Sequence, residues 1–378
     1  MRILALQLKR IGDLVLTTPA LAALRAAWPE AHIALAVAPG CAALLGAVPS
    51  VSAGVVLGKG RGFAPWQQVL TGPWDVCLDF TGTDRSALAA GLSRAKTRVA
   101  FELVKKSKLR AVAFNRFVAS AVRDRHTVDH YLDLAAAVAR VESAPPPELR
   151  VPETVRAEAE KILRAHGLAG PFAVLHPGTA RPEKYWPPER WAQLARHLRE
   201  QHGLACVVTG GSDPYELAHV ASILKDCELP QKRAALLTTD DTDDTDFQKP
   251  QSVPSVVPSE LRGAGGGIVD LAGRIDLLTF AAVLAQARLC VSCDTGAVHL
   301  AAAFQTPQLA LFGPTNPFHW RPRHERALVL SAAQPAAPLT AFTPRMKGAP
   351  MEHISTAAVI RAIDSLLAIP SPPANSES

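Results

Sequence analysis

The sequence predicts an α/β protein of two halves, each a parallel sheet with helices on both faces. Three observations carry that prediction. Short apolar runs alternate with longer amphipathic segments along most of the chain, the pattern of strands joined by helical crossovers. The alternation starts afresh after Pro145-Pro146-Pro147, a stiff triplet that reads as a linker. And 378 residues are long for a single core, so two domains are expected. The halves are placed at 1–150 and 151–352, with a C-terminal helix over 353–370 that is expected to pack back toward the first half.

The elements follow in order. In the first half, strands are predicted at Ile3–Leu8, His32–Ala38, Val55–Leu57, Val76–Phe80 and Thr97–Phe101, and helices at Asp13–Trp28, Arg85–Ser93 and Thr127–Val141. In the second, helix Glu153–His166 leads to strand Phe172–His176, helix Pro188–His202, strand Ala205–Thr209 and helix Pro214–Leu224. Helix Leu277–Ala287 then leads to strand Arg288–Ser292, a small-residue helix, and strand Gln308–Phe312. Between them, from about Glu228 to Gly267, run Asp240, Asp241, Asp243, Asp244 and Asp246, a Pro/Ser/Val stretch, and Gly-Ala-Gly-Gly-Gly. That composition buries too little apolar surface to order itself, and it lacks the Gly and terminal Glu of a calcium loop.

Composition excludes several classes. The apolar run Ile33–Leu57 is broken by Pro39, Gly40, Pro49 and Gly54, so it reads as alternating elements and not a membrane span. Lys9-Arg10 interrupts the first strand with no small-residue cleavage site beyond it, so no secretory signal is expected. The six cysteines lie mostly in apolar strands, which fits reduced thiols in a cytoplasmic protein. Cys290-x-x-Cys293 has neither a second pair nor a His-x-x-x-His nearby, which argues against a metal site. Neither half has a G-x-G-x-x-G turn after its first strand, so a nicotinamide or flavin cofactor is not expected. Net charge is +6, and ten cations lie between Gly91 and His126 against only Glu102 and Asp124. Lys105, Lys106, Lys108 and Arg110 form the densest part. Such a cluster suits a polyanion or an anionic membrane surface. Nucleic acid is not expected, because no recognition motif for it is present.

Four segments end predicted strands, the edge where open parallel sheets bind ligands. Lys9-Arg10-Ile11-Gly12-Asp13 places a carboxylate at the first helix start, as an N-cap or as a general base aimed into the cleft. His176-Pro177-Gly178-Thr179 precedes Lys184-Tyr185-Trp186-Pro187, in which Lys184 suits a phosphate and Trp186-Pro187 sets the next helix. Thr209-Gly210-Gly211-Ser212 is a Gly-rich turn. Asp294-Thr295-Gly296, with His299 just beyond, opens the small-residue helix and leads to Gly313-Pro314-Thr315. A helix start offers unpaired N–H groups and a positive dipole end to an anion, with Asp294 read as a ligand of hydroxyls or as an N-cap.

These segments, in this order, resemble the ADP-heptose:lipopolysaccharide heptosyltransferase family, glycosyltransferase family 9. The shared motifs are Gly12-Asp13, Thr18-Pro19-Ala20-Leu21, His176-Pro177-Gly178, Lys184-Tyr185-Trp186-Pro187, Asp294-Thr295-Gly296 with His299, and Leu311-Phe312-Gly313-Pro314-Thr315. The likeness covers nearly the whole chain apart from the insertion. It implies a GT-B fold, two Rossmann-like domains facing a central cleft, with a lipid-linked acceptor on the first and a nucleotide sugar on the second. It implies an inverting, metal-independent transfer of heptose from ADP-heptose to a lipopolysaccharide inner-core acceptor, with no cofactor and no metal. Asp13 becomes the base, and Lys184 also serves catalysis by meeting the leaving diphosphate. Thr179, Lys184, Glu216, Ile275, Asp294, Thr295, Gly296 and His299 fall on donor-binding positions. Lys105, Lys106, Lys108 and Arg110 lie in the acceptor half and are expected to meet acceptor phosphates or the cytoplasmic face of the inner membrane, to which the protein would bind peripherally. Ala180 departs from members with a second hydroxyl residue there, and Pro350-Met351 from those with Cys-Met. Two alternatives share the pattern: a GT-B transferase using another nucleotide sugar, and a non-catalytic nucleotide-sugar-binding protein of envelope assembly.

Overall fold

Apolar runs buried on both faces need helices on both sides, and such strands pair in parallel. In the computed structural model, which describes residues 1–58, 62–120, 122–228 and 267–369, they do so twice. The first unit comprises β1 (Arg2–Gln7), α1 (Ile11–Ala27), β2 (His32–Val37), β3 (Ala53–Val56), α2 (Ala64–Thr71), β4 (Val76–Asp79), α3 (Asp84–Leu92), β5 (Thr97–Phe101), α4 (Lys108–Ala111), β6 (Arg116–Val118) and α5 (Thr127–Ala136). Its sheet runs β3-β2-β1-β4-β5-β6. The second comprises α6 (Glu153–Ala165), β7 (Phe172–His176), α7 (Pro188–His202), β8 (Ala205–Val208), α8 (Pro214–Glu228), β9 (Ile268–Asp270), α9 (Leu277–Gln286), β10 (Leu289–Cys293), α10 (Gly296–Ala303), β11 (Gln308–Phe312), β12 (Ala327–Ser331) and α11 (Thr356–Leu367). Its sheet runs β12-β11-β10-β7-β8-β9. All the strand pairs in both sheets are parallel.

Each sheet reverses its winding once, between β1 and β4 and between β7 and β10. At such a point the loops leaving adjacent strands part and open a crevice at the carboxyl edge. The two crevices share one cavity, described below, which gives the GT-B arrangement of two parallel-sheet units about a cleft. An apolar cluster runs continuously from Ile3 and Leu14 of the first unit to Leu284 and Ala301 of the second. At the rim, α5 is tied to the second unit by polar contacts. Arg323 donates to both Asp129 oxygens at 2.6 Å, and Thr127 N–H donates to the His319 carbonyl.

Local chemistry explains the element ends. Pro19 lies inside α1 and cannot donate to the Val15 carbonyl; the Thr18 hydroxyl donates there instead at 2.7 Å. The α1 helix begins at Ile11, with Arg10 as its N-cap, so Asp13 sits in the first turn and is not the cap. The predicted helix over 127–141 stops at Ala136. Strands β6, β9 and β12 and helices α2 and α4 were not predicted; β6 and β9 have three residues each, too short for a period to show.

One expectation changes. The C-terminal helix does not return to the first unit: Ala358, Val359, Ala362, Ile363 and Leu366 are buried with Trp191, Leu194 and Leu198 of α7. Its apolar face matches the second sheet, and the Trp186 indole N–H fixes the approach by donating to the Ile354 carbonyl at 2.8 Å. The insertion expected over 228–267 lies outside the described residues apart from Glu228 and Gly267. Cys290 and Cys293 face opposite sides of the second sheet, one in each of two separate clusters. Three residues apart on a strand, they cannot converge on one metal. Burial pushes both thiols up to about 12.

Asp79, at the end of β4, is fully buried and accepts from Thr81 N, Gly82 N and the Ser86 hydroxyl at 2.8–3.1 Å. Burial outweighs these bonds and pushes its carboxyl up to about 6. The folded chain therefore keeps a proton that the unfolded chain releases from about pH 4. Stability is fully present below that pH and falls by on the order of 2–3 kcal/mol as pH rises to about 6. An Asn at this position can accept the same two N–H groups and donate to Ser86. Asp79→Asn is expected to flatten this slope in urea unfolding at pH 4 to 7 while keeping the fold. An unchanged slope would assign it to other groups.

Candidate active site

The cleft holds a cavity of about 670 Å³, lined from the first unit by Lys9, Arg10, Ile11 and Gly12 and from the second by the loops after β7, β8, β9 and β10. Its floor is the meeting of two helix starts. The N-terminus of α10 abuts that of α1 so closely that a Cβ on Gly296 would lie 3.3 Å from Ile11 Cγ2, and one on Gly12 would lie 2.5 Å from His299 Cδ2. At Gly12 a side chain would force His299 to shift, while at Gly296 it would crowd Ile11. Thr295, not Asp294, is the N-cap of α10, its hydroxyl accepting from Ala297 N at 3.3 Å. Asp294 is thereby released to accept from Lys184 Nζ at 2.6 Å, with the Asp294 carbonyl 3.3 Å from the same ammonium. Both side chains are largely buried, at 12% and 10% exposure. Lys184 is held at the crevice between β7 and β10, beside the helix start.

The other expected donor residues divide. Thr179, Ile275, Thr295 and Gly296 line the cavity. Thr179 is buried and accepts from Arg181 N at 3.3 Å. Glu216 lines the cavity as well, its carboxylate accepting from Gly211 N at 2.6 Å. A side chain on Gly178 would strike that carboxylate at 2.6 Å, so Gly178 and the Gly210-Gly211 turn make room for it. His299 does not line the cavity. It lies buried behind the wall, against Gly12, and its Nδ1 has no hydrogen-bond partner among the described residues. Burial lowers its pKa, while the charges of Asp294 and Asp13 act in the opposite sense. The imidazole packs against Gly12 and supports the wall of the cavity.

Asp13 follows the lining Gly12 but does not itself line the cavity, and 14% of its side chain is exposed. The buried Tyr131 hydroxyl donates to Asp13 Oδ1 at 2.8 Å, and Lys9 Nζ lies 4.0 Å from the same oxygen. Burial first, and the Asp13 charge second, raise the Tyr131 phenol well above its usual value, so it stays a donor. The α1 backbone is fixed too: the Asp13 carbonyl accepts from the Thr17 hydroxyl at 2.7 Å. The result is an oriented carboxylate beside a cavity-lining ammonium.

In the sequence, several site residues stand out only within their segments, without a role, and Tyr131 not at all. Lys9 and Arg10 line the cavity, and two cations ending an apolar strand were the available signal. His176 also lines it, stacked on Phe280 at 5.0 Å and bonded through Nδ1 to the Thr209 hydroxyl; burial pushes its pKa down to about 4. Tyr131 comes from a helix more than a hundred residues from Asp13 in sequence, and no local signal marks it. Lys105, Lys106, Lys108 and Arg110 are away from the cavity. Arg110 is committed to Asp84 at 2.6 Å and to the Gly82 carbonyl, and Lys105 to Glu102 at 2.8 Å. Among the described residues, the group of three side chains that could hold a metal is His197, His202 and Asp364, between α7 and α11 and outside the cavity lining.

Lining cations Lys9, Arg10, Arg181 and Lys184 face carboxylates of which Asp294 is paired and Asp276 caps α9. With the helix start, this suits an elongated anion such as a diphosphate. Comparison with known proteins agrees. The model of glycosyltransferase family 9 (heptosyltransferase) matches residues 63–238 and 256–349, and the chain belongs to that family. It is a glycosyltransferase. Lipopolysaccharide heptosyltransferase 1 of Pseudomonas aeruginosa is 26% identical over 342 residues, 84% of this chain and 80% of the relative. Lipopolysaccharide heptosyltransferase 3 of Escherichia coli is 21% identical over 366 residues, 94% and 96% of the two chains. Among solved structures, ADP-heptose lps heptosyltransferase II of E. coli superposes with a TM-score of 0.72 at 20% identity, over 97% of this chain and 99% of that one. The E. coli heptosyltransferase WaaC with ADP-2-deoxy-2-fluoro heptose gives 0.66 at 20% identity, over 97% and 99%. These two share the fold.

Lys184→Ala should weaken binding of ADP, used as probe, by roughly tenfold or more in calorimetry, the scale of a lost charge-assisted contact. Asp294→Ala should also weaken it, because Lys184 loses its anchor. The double variant should bind about as Lys184→Ala does, since the two side chains act as one unit. Full affinity in both single variants would place the anion elsewhere.

Proposed function

We propose that this enzyme transfers a heptose from ADP-heptose to a lipid-linked lipopolysaccharide inner-core acceptor with inversion, using Asp13 as general base and no metal. The observation that carries the reading is the contact of the two helix starts. It supports the reading because Asp13 lies in the first turn of α1, next to the lining Gly12, while Thr295 and Gly296 at the start of α10 line the cavity. The relatives' names supply the sugar and the acceptor class.

The acceptor hydroxyl oxygen attacks the anomeric carbon while Asp13 accepts its proton. The bond from that carbon to the diphosphate oxygen breaks, and its electron pair leaves on ADP. A positioned base contributes about 10²–10⁴-fold. The Tyr131 hydroxyl, by its hydrogen bond, and Lys9, 4.0 Å away, hold the Asp13 carboxylate in position. Charge growing on the diphosphate is met by Lys184, Arg10 and the N–H groups at Thr295–Gly296, donors that need no rearrangement as the bond breaks. Thr179 and the Gly-rich turns bring backbone close to the phosphates, and Glu216 and Ile275 flank the nucleoside. The lipid-linked acceptor requires the reaction to occur at a membrane surface, the cytoplasmic face of the inner membrane in this reading. The reading takes this association to be peripheral; no helix among the described residues is long and apolar enough to cross a membrane.

The reading is tested by incubating the protein with ADP-heptose and a panel of truncated lipopolysaccharide acceptors and weighing the product. A mass gain of one heptose on one acceptor is expected; transfer from another nucleotide sugar only would replace the donor. Asp13→Asn should reduce turnover by about a hundredfold or more with ADP affinity nearly unchanged, and near-normal turnover would remove Asp13 from the mechanism. Activity should persist in excess EDTA. A loss restored by magnesium or manganese would assign the phosphate charge to a metal.

A further inference from the structure

The segment after β5 carries an exposed apolar surface that the reaction does not use. It makes a 3-10 turn at Glu102–Lys106 and then α4, which has no buried residue. Leu103, Leu109 and Val112 are 60%, 80% and 77% exposed. Leu109 and Val112 are three residues apart on the helix and its C-cap, and so share a face. Leu88 of α3, the helix packed beside α4, is exposed as well. Single exposed leucines are ordinary, but several bulky aliphatics close together mark an interaction surface.

The segment is held firmly. Val104 and Phe114 are buried in the core under the first sheet. Arg110 ties α4 to Asp84 and the Gly82 carbonyl, and Ser107 caps the helix by accepting from Arg110 N. Lys105 lies over the Phe117 ring at 4.6 Å. The exposed aliphatics are therefore fixed tips, interleaved with Lys106 and Lys108, which are exposed and have no carboxylate within salt-bridge reach among the described residues. Fixed aliphatic tips ringed by ammonium groups match an anionic bilayer surface, where the tips enter the acyl boundary and the lysines meet headgroup phosphates. A protein partner would be expected to find a concave pocket or a Trp, Tyr or Arg anchor, and the tips supply neither.

Topology sets the direction. In a parallel sheet all loops after strand C-termini leave from one edge, and β1 and β5 are separated by β4 alone. The patch therefore stands on the same edge as the Lys9–Asp13 segment, about two strand spacings away, or roughly 10 Å. We propose that Leu103, Leu109 and Val112 insert into the bilayer interface, with Lys106 and Lys108 on anionic headgroups, so that the cleft mouth faces the membrane surface. The proposal rests on the lipid-linked acceptor reading and adds an apolar anchor to it.

The test is co-sedimentation of the full chain with phosphatidylglycerol/phosphatidylethanolamine vesicles. The wild type should bind, and part of the binding should survive about 0.5 M salt, where exposed charges are screened within a few Å. Leu103→Ser/Leu109→Ser/Val112→Ser, with unchanged circular dichroism and ADP affinity, should lose roughly tenfold or more in partitioning and all of the salt-resistant part. Lys106→Ala/Lys108→Ala should lose the salt-sensitive part and keep the remainder. Wild-type partitioning by the triple Ser variant overturns the proposal. So does the absence of vesicle binding together with self-association that the triple Ser variant abolishes in sedimentation. Turnover on a delipidated, soluble acceptor separates the two readings. Transfer without vesicle binding sinks the anchor alone, and vesicle binding without transfer to any acceptor sinks the reaction alone.

Discussion

The site depends on one close approach, the start of α10 against the start of α1. Gly12 and Gly296 permit it, since a side chain at either would collide with His299 or crowd Ile11. Two helix dipoles then point their positive ends toward one cavity, and the cost of bringing like partial charges together is offset by the carboxylates Asp13 and Asp294 nearby and by an anionic ligand. The apolar cluster that runs through both units holds the approach in place. His299 belongs to this contact. It fills the space behind Gly12.

The two sheets contribute in the same way because they are wound in the same way. In each, the winding reverses at a single place, and the loops on either side supply the residues that matter. At the second sheet these loops bring Lys184 and Asp294, 110 residues apart, to 2.6 Å. At the first, β1 delivers Lys9–Gly12 directly into the cleft, while the β4 side is filled by the buried Asp79 turn and its hydrogen bonds to Thr81, Gly82 and Ser86. The β4 side of the first crevice is thus filled by protein groups, while the cavity opens on the β1 side and on the paired cation of the second unit. In the proposed reaction the second unit holds the anion and the first places the base.

The carboxylate pair shows how environment separates two chemically identical groups. Asp294 is neutralised by a direct ammonium contact and serves to aim Lys184. Asp13 accepts a phenol hydrogen bond instead, and its nearest ammonium is more distant, at 4.0 Å. Neither role follows from the residue type. Each follows from what the fold places within a few Å.

By itself the sequence determined the two α/β units, the order of their main strands and the four loops that meet at the cleft, because each is written locally: apolar runs of strand length, breakers after them, and small residues at helix starts. It also determined the family, through motifs that lie at those same loops. It did not determine that Thr295 caps α10 and releases Asp294, that Tyr131 holds Asp13, that His299 stands behind the wall, or that α11 packs on α7. Nor did it show that Arg110 and Lys105 are tied down while Leu109 and Val112 stand out beside Lys106 and Lys108. Those facts were decided by the tertiary structure. They are contacts between residues far apart in the chain, or the exposure left once packing is complete, and no local pattern of side chains encodes either.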